Sequence, residues 1–591
     1  MKKSTARILI ILLTVLVGNA LSAAAASGVR IAFQRPSGWQ GIPHLHAYAN
    51  DIALDGCNDR EMSPVPGLEG WYWFSIANTP AQYVIIFNNG GWSGGQTVDV
   101  HITDGLDHAF TASGLIVSET SGDAVWEALD APVPTPPTDA TDIRFRRPDT
   151  WTQTPKLVAY KEKDLVRTPE NRVIYEVFVR NFSPEGTLKG VEKEVSRLKE
   201  LGVDVVWLMP IYPGGREGKW GTYASPYAVR DYKAVDPDYG TADDFRSLVD
   251  AIHNAGMEIW LDWVANHTAL DHPWASSNRD YYRLNGNEIV HPHGWNDVYQ
   301  LNYSSQGLRS AMIDALCYWV REFDIDGYRC DYADGVPRDF WRQAREAVNA
   351  IKPSVAWLAE SGGDGENSRL VSDDGLFDYN YAWGFRDQLA EFAGHGDVSR
   401  LRTLCRDLFY DSAYNGKSRM VYLSNHDVVQ DKGGTEDRIM GMRLEPLTVL
   451  EFTIYGMPLL YNGQEIRYSS GAVSLAEKTP VDWSRPDTRM QALISSLTRL
   501  KHSEPALRTG RERGDLHTYA TSAPDVFVYE RRLGDESVVV MLNFGASQTN
   551  FTVTDRLPAE TYLDVFSGNT AALASTPAFT LPAYGYAVYV K

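Results

Sequence analysis

The chain has 591 residues and a formal net charge of −20, with 76 acidic against 56 basic side chains. That length argues for several domains, and 43% apolar residues allow packed cores rather than a disordered tail. The acidic balance excludes an electrostatic binder of nucleic acid, while 17 Trp, 31 Tyr and 20 Phe are enough to fill cores or to offer stacking faces to a neutral ring such as a sugar.

The first signal along the chain is Lys2, Lys3 and Arg7, followed by apolar Ile8–Val17 and small residues Ser22–Ser27. This order predicts an export signal over 1–26 and a secreted or periplasmic protein. The apolar run is too short to span a membrane, and no later run is long enough. Cys57, Cys317, Cys330 and Cys405 read mostly as buried thiols, with Cys317–Cys330 the one disulfide pairing to check.

Residues 28–129 read as short strands ("VRIAF", "HLHAYA", "WYWFSI", "QYVIIFNNGG") between Gly, Pro and Asn turns, which predicts an N-terminal β-sandwich. Alternation sets Leu45, Ala47 and Ala49 on one face of a strand and His44, His46 and Tyr48 on the other. Pro- and Thr-rich 130–142 predicts a stiff linker. A partial repeat opens residues 143–168: "IRFRRPDTWTQTPKLVAY" (Ile143–Tyr160) matches "IAFQRPSGWQGIPHLHAY" (Ile31–Tyr48). The second copy is either a truncated module or an edge of the next domain.

From residue 169, apolar strands alternate with amphipathic helices. The candidate strands begin at Val173, Val203, Glu258, Gly327, Ala356, Phe377, Met420 and Met457. They predict a multidomain α/β chain with a (β/α)8 TIM barrel over 169–510 and an insertion at about 268–307 after the third strand. One helix is marked by Thr241 as N-cap, by Asp243 and Asp244 in its first turn and by Gly256 beyond its end. Residues 511–591 predict a C-terminal antiparallel β-sandwich.

Barrel active sites lie at the C-terminal ends of the strands. The third strand ends in Asp262, Asn266 and His267, the fourth in Arg329 and Asp331, the fifth in Glu360, and the seventh in Asn425, His426 and Asp427. Each motif alone fits a loop, a cap or a structural ion pair. Four in order, each just after an apolar strand, point to one site.

This set resembles the α-amylase family of retaining glycoside hydrolases, and "SPYAVRDYKAVDPDYGT" (from Ser225) and "GMPLLYNGQE" (from Gly456) reinforce the resemblance over about 169–591. The resemblance implies Asp331 as nucleophile, Glu360 as general acid/base and Asp427 as a third carboxylate that grips sugar hydroxyls. It implies that Arg329 orients Asp331 and keeps it ionised, that His267 and His426 bind hydroxyls, and that Tyr227 stacks beneath the sugar, with Asp262, Asn266 and Asn425 in support. The chemistry needs one ionised and one protonated carboxyl group, about 5–5.5 Å apart for retention. A cation beside Asp331 should lower its pKa, and clustered negative charge should raise that of Glu360.

The sequence also departs from the family. A Lys-His pair three and four residues after the nucleophile, tied in the family to the leaving-group side and to a calcium site, is replaced by Asp334 and Gly335. Asn266, a usual calcium ligand in the family, is retained, so bound calcium stays open. No phosphate loop, zinc pair or nucleophile elbow is present, and no organic cofactor is implied. The N-terminal module resembles starch-binding modules, with Trp39, His46, Tyr48 and Trp92 as candidate sugar contacts. The persistence of Trp39 and Tyr48 as Trp151 and Tyr160 in the second copy argues instead that those two are core. The leading expectation is an exported hydrolase of α-1,4-glucosidic bonds in starch or maltodextrins. The alternative is a neopullulanase- or cyclomaltodextrinase-like or transglycosylating relative. A non-catalytic glucan-binding surface protein is disfavoured because all three carboxylates are present.

Overall fold

A computed structural model describes residues 29–125 apart from several loops, 154–163, and 168–591 apart from 362–369, 372–374, 415–416, 432–438, 469–473 and 485. The predicted export signal, the linker, Trp39, Cys57, Trp92 and the first part of the second repeat copy, including Trp151, lie outside the described residues. The chain divides into two compact units, residues 1–139 and 140–591.

The first unit is built from two sheets. One centres on Val29–Gln34 and Trp71–Ile76, the other on Pro43–Ala49 and Tyr83–Asn89. Ile31, Phe33, Leu45, Ala47, Ile85 and Phe87 fill the core. Pro43–Ala49 alternates as its sequence predicts: Leu45 and Ala47 are buried, whereas His44, His46 and Tyr48 are half-buried on the other face. Tyr48 is therefore not core, and its hydroxyl donates to Asp99 at 2.7 Å.

In the second unit eight parallel strands close into a barrel. They are β1 (Ile174–Val177), β2 (Val205–Leu208), β3 (Glu258–Val264), β4 (Gly327–Asp331), β5 (Ala356–Ala359), β6 (Tyr379–Tyr381), β7 (Arg419–Tyr422) and β8 (Met457–Tyr461). Side chains alternate across each strand. Ile174, Trp207, Trp260, Leu358, Met420 and Leu459 pack inside the barrel. Tyr175, Val206, Leu261, Tyr328, Trp357 and Val421 pack outward in the larger core shared with the helices. Both faces are buried, which is why the strands read as apolar runs.

The helix Ala242–Asn254 starts with a reciprocal capping box between Thr241 and Asp244 and buries Phe245, Leu248, Val249 and Ile252. The insertion after β3 is anchored by a two-stranded pairing of His267–Ala269 with Val298–Gln300. At the C-terminus a six-stranded sheet and a two-stranded ribbon form the closing β-domain. Its Arg531, fully buried, donates to the carbonyls of Thr453, Ile454 and Arg508, which ties the domain to the barrel.

Two sequence questions are resolved here. Cys317 and Cys330 are free and buried, as is Cys405, so the Cys317–Cys330 bridge does not form; both thiols serve as packing in the barrel's outer core. The described part of the second repeat copy, 154–163, contains no strand. The Val158 amide donates to the Val565 carbonyl at 2.7 Å, and the Tyr160 hydroxyl donates to Glu504 at 2.8 Å. It is an edge of the catalytic unit.

Candidate active site

Barrel register assembles the site. Asp262 on β3 stands beside Arg329 on β4, and Val264 beside Asp331. Arg329 and Asp331, two apart, project to the same inner side. Arg329 is fully buried, and its Nη1 donates to both Asp262 oxygens (2.9 and 3.1 Å) and to Asp331 Oδ1 (3.1 Å). Its Nη2 lies 2.7 Å from Glu360 Oε2 in an ion pair, and its Nε donates to the Tyr381 hydroxyl at 3.0 Å. The rings of Trp207, Tyr227 and Tyr381 surround the guanidinium at 5.3, 5.5 and 5.7 Å. One cation thus serves three carboxylates, a task suited to the planar fork of arginine.

The electrostatics correct one expectation. Burial raises the Asp331 carboxyl to about 6; Arg329 lowers it as expected, but by less than burial raises it. Burial also raises Asp262 to about 6. Glu360 goes highest, to about 7: burial leads, Arg329 opposes it, and Asp331 and Asp427 add to it. Asp331 below Glu360 is the order that the expected roles of nucleophile and acid need. Clustered negative charge contributes less to Glu360 than burial does.

Asp427 follows β7 in the short helix His426–Asp431. Burial opposes its charge, but His426 holds it below the ordinary carboxylate range. His426 Nε2 lies 3.2 Å from Asp427 Oδ1 and 2.8 Å from the Tyr227 hydroxyl. Asn425 donates to Asp427 Oδ2 at 3.4 Å and accepts from the Val428 amide at 2.9 Å, so it caps the turn that presents Asp427. The Tyr227 ring stacks on His426 at 5.2 Å, and its hydroxyl donates to Asp262 at 3.1 Å. His267 is buried and pushed down to about 4, so it is neutral at working pH, with its ring edge-on to Trp295 at 5.4 Å.

All the barrel residues picked from the sequence therefore gather at one rim. Sequence reasoning missed several others. Glu176 on β1 pairs with His426 Nδ1. Tyr332 directly follows Asp331 with left-handed backbone (φ 41°, ψ 50°), which is strained for a bulky side chain. Its amide donates to Glu360 Oε2 at 2.8 Å, and its ring meets His293 (5.2 Å) and exposed Trp295 (6.0 Å) of the insertion. The aromatic residue itself, where "GYRCD" ends, was the available signal.

Tyr332 also explains Gly335. A Cβ on Gly335 would lie 2.2 Å from the Tyr332 ring and 2.9 Å from Asn266 Oδ1, so no larger side chain fits there. Calcium takes six to eight oxygens, several of them carboxylate. The Asn266 amide nitrogen faces His267 Nδ1 at 3.3 Å.

The family profile described as Alpha amylase, catalytic domain, matches residues 144–300 and 293–510, more than half of the chain. The chain belongs to the alpha-amylase family. That membership makes it a glycoside hydrolase acting on α-glucans. A second profile, Maltogenic Amylase, C-terminal domain, matches 517–588 of this alpha-amylase family chain. It is 26% identical to Alpha-amylase MalA of Haloarcula japonica, over 70% of this chain and 60% of that protein. It is 26% identical to Cyclomaltodextrinase of Geobacillus thermopakistaniensis, over 68% of this chain and 70% of that protein. Relatives named Neopullulanase 2 and Intracellular maltogenic amylase match at 27% identity. Among solved structures, an alpha-amylase from Lactobacillus plantarum superposes with a TM-score of 0.62 at 30% identity, covering 71% of this chain and 99% of that one.

Proposed function

We propose that this glycoside hydrolase cleaves α-1,4-glucosidic bonds by double displacement, with the substrate preference of maltogenic amylases, cyclomaltodextrinases and neopullulanases. Asp331 attacks the anomeric carbon while Glu360 protonates the departing glycosidic oxygen. Glu360 then takes a proton from water, which releases the sugar from Asp331 with net retention. Asp427 stays ionised, accepts hydrogen bonds from sugar hydroxyls and stabilises the oxocarbenium-like transition state. Tyr227, His267 and His426 hold the sugar being cleaved, and Arg329 balances the carboxylates and fixes their geometry.

The observation that carries the substrate preference is the maltogenic-type C-terminal domain following this site. Product profiles on β-cyclodextrin, pullulan and amylose test it. The expected result is rapid β-cyclodextrin turnover to short products that first appear as α-anomers. Random shortening of amylose with intact cyclodextrin would instead favour starch-type α-amylase action. That second reading is supported by relatives named alpha-amylase and by the N-terminal unit, where the His46 and Tyr48 rings lie side by side at 5.5 Å on an outer face.

We further propose that the N-terminal unit holds glucan on that face, and that the chain is exported. The support is the pair of outward rings and the basic, apolar, small-residue order of the first residues. Replacing His46 and Tyr48 together by Ala should lower adsorption to granular starch, and the secreted form should start after residue 26.

A further inference from the structure

β1 carries a single charged side chain, Glu176, and it belongs to none of the motifs that reveal the site. Its side chain is fully buried. One oxygen pairs with His426 Nδ1 at 2.5 Å, and the other has no hydrogen-bond partner. A buried carboxylate is costly unless an opposite charge offsets it. Among the described residues, its ion-pair partner is His426.

The hydrogen-bond pattern around the imidazole points the same way. Nδ1 faces Glu176, and Nε2 faces Asp427 Oδ1 at 3.2 Å and the Tyr227 oxygen at 2.8 Å. The Asp427 carboxylate can only accept, so an acceptor faces Nε2 as well as Nδ1. Acceptors thus stand at both ring nitrogens. A neutral imidazole donates from one nitrogen only; an imidazolium donates from both.

We propose that Glu176 is a positioning residue: it keeps His426 an imidazolium, so that Nε2–H donates to Asp427 and Tyr227 throughout the working pH range. The inference rests on the reading of Asp427 as the third carboxylate of a double-displacement site. The groups facing His426 are Glu176 from β1, Trp207 edge-on from β2 at 6.2 Å, stacked Tyr227, and its chain neighbour Asp427. Asp262 and Asp331 add negative charge nearby, while Arg329 is the competing cation. Burial opposes charge on His426, yet Asp427 and Glu176 together hold it well above the ordinary histidine range.

Glu176→Gln tests this, because Gln keeps the shape and can still accept from Nδ1 but carries no charge. The imidazolium then loses one of its two anionic partners, and His426 releases its proton at lower pH. The readout is the ratio of variant to wild-type kcat/KM on maltoheptaose as pH rises. The expected result is a ratio that falls about tenfold or more between pH 5 and pH 8, as follows when the variant's His426 loses its proton within that interval and the wild type's does not. A ratio independent of pH would mean that Glu176 is merely structural and would overturn the proposal.

A second measurement needs no change at Glu176. In 15N-histidine-labelled wild-type protein, the His426 signals, identified by their loss in His426→Gln, should show both ring nitrogens protonated at pH 8. A neutral His426 there would also overturn the proposal. A wild-type protein that releases no sugar from any α-glucan would sink the catalytic reading alone, because the NMR result reads the protonation of His426 without reference to turnover.

Discussion

Asp331 and Glu360 share one guanidinium and differ in proton affinity, about 6 against about 7. In the proposed double displacement attack requires ionised Asp331 and protonated Glu360, so the acid limb of kcat/KM should fall near pH 6 and the alkaline limb near pH 7. A narrow bell between those limbs is the expected profile, and a flat profile from pH 5 to 9 would contradict it. The same burial stores instability. The folded pKa of Asp331 is raised, so its stabilising contribution is present below its ordinary value of 3.8 and is lost as pH rises through about 6. Asp331→Asn should therefore lose at least about 10³-fold in turnover. It should also gain about 1–3 kcal/mol of stability at pH 8, with little gain below pH 4. Urea unfolding at the two pH values checks the sign. The three carboxylates were legible in the sequence because each follows an apolar strand within a motif. Glu176 was not, since a lone charge inside "VIYEVFV" carries no pattern and its partner His426 is 250 positions away.

Among the elements, β4 shows how closely the barrel interior is filled. Gly327 opens the strand directly beside Trp260 of β3. A Cβ there would lie 2.6 Å from the Trp260 indole, which is itself fully buried and stacked on Tyr379 at 6.1 Å. Gly327→Ala should therefore cost about 1–3 kcal/mol through overpacking, measurable by urea unfolding, with the register that sets Asp262 against Arg329 disturbed as well. All eight strands were legible as apolar runs, and the helix after β2 as a capped amphipathic segment. The inner and outer faces were not, because burial on both sides removes the alternation that would distinguish them. The hairpin pairing of the insertion was also hidden, since its short strands depend on a partner thirty or so residues away rather than on local pattern.

Over the whole molecule, the closing β-domain and the barrel are joined by buried polar groups. Arg531 satisfies three carbonyls outside its own sheet, two of them at the end of the helix before β8. Arg531→Ala should leave those carbonyls unpaired inside the protein and cost about 2–5 kcal/mol, read as a lower melting temperature. Loss of cooperativity between barrel and β-domain, seen as two separate transitions, is the accompanying expectation. No sequence motif marks this contact: Arg531 lies in "VFVYERR", where charge at a strand end reads as solvent-facing.

The repeat separates the two kinds of information most clearly. Sequence alone determined the strand order of the barrel, the rim at which the chemistry-bearing residues gather and the alternation of Pro43–Ala49, because these follow from local periodicity and chain order. It could not determine the conformation of the matching segment in the second copy. Tyr48 lies in a paired strand with its hydroxyl on exposed Asp99, whereas Tyr160 follows left-handed Ala159 (φ 55°) and reaches Glu504. Similar residues take different backbones because a strand needs a neighbouring edge to satisfy its amides and carbonyls. The tertiary structure supplied that edge to one copy and a helix end to the other. The same dependence on distant partners placed Glu176 against His426, and burial rather than the adjacent Arg329 set the proton affinity of Asp331.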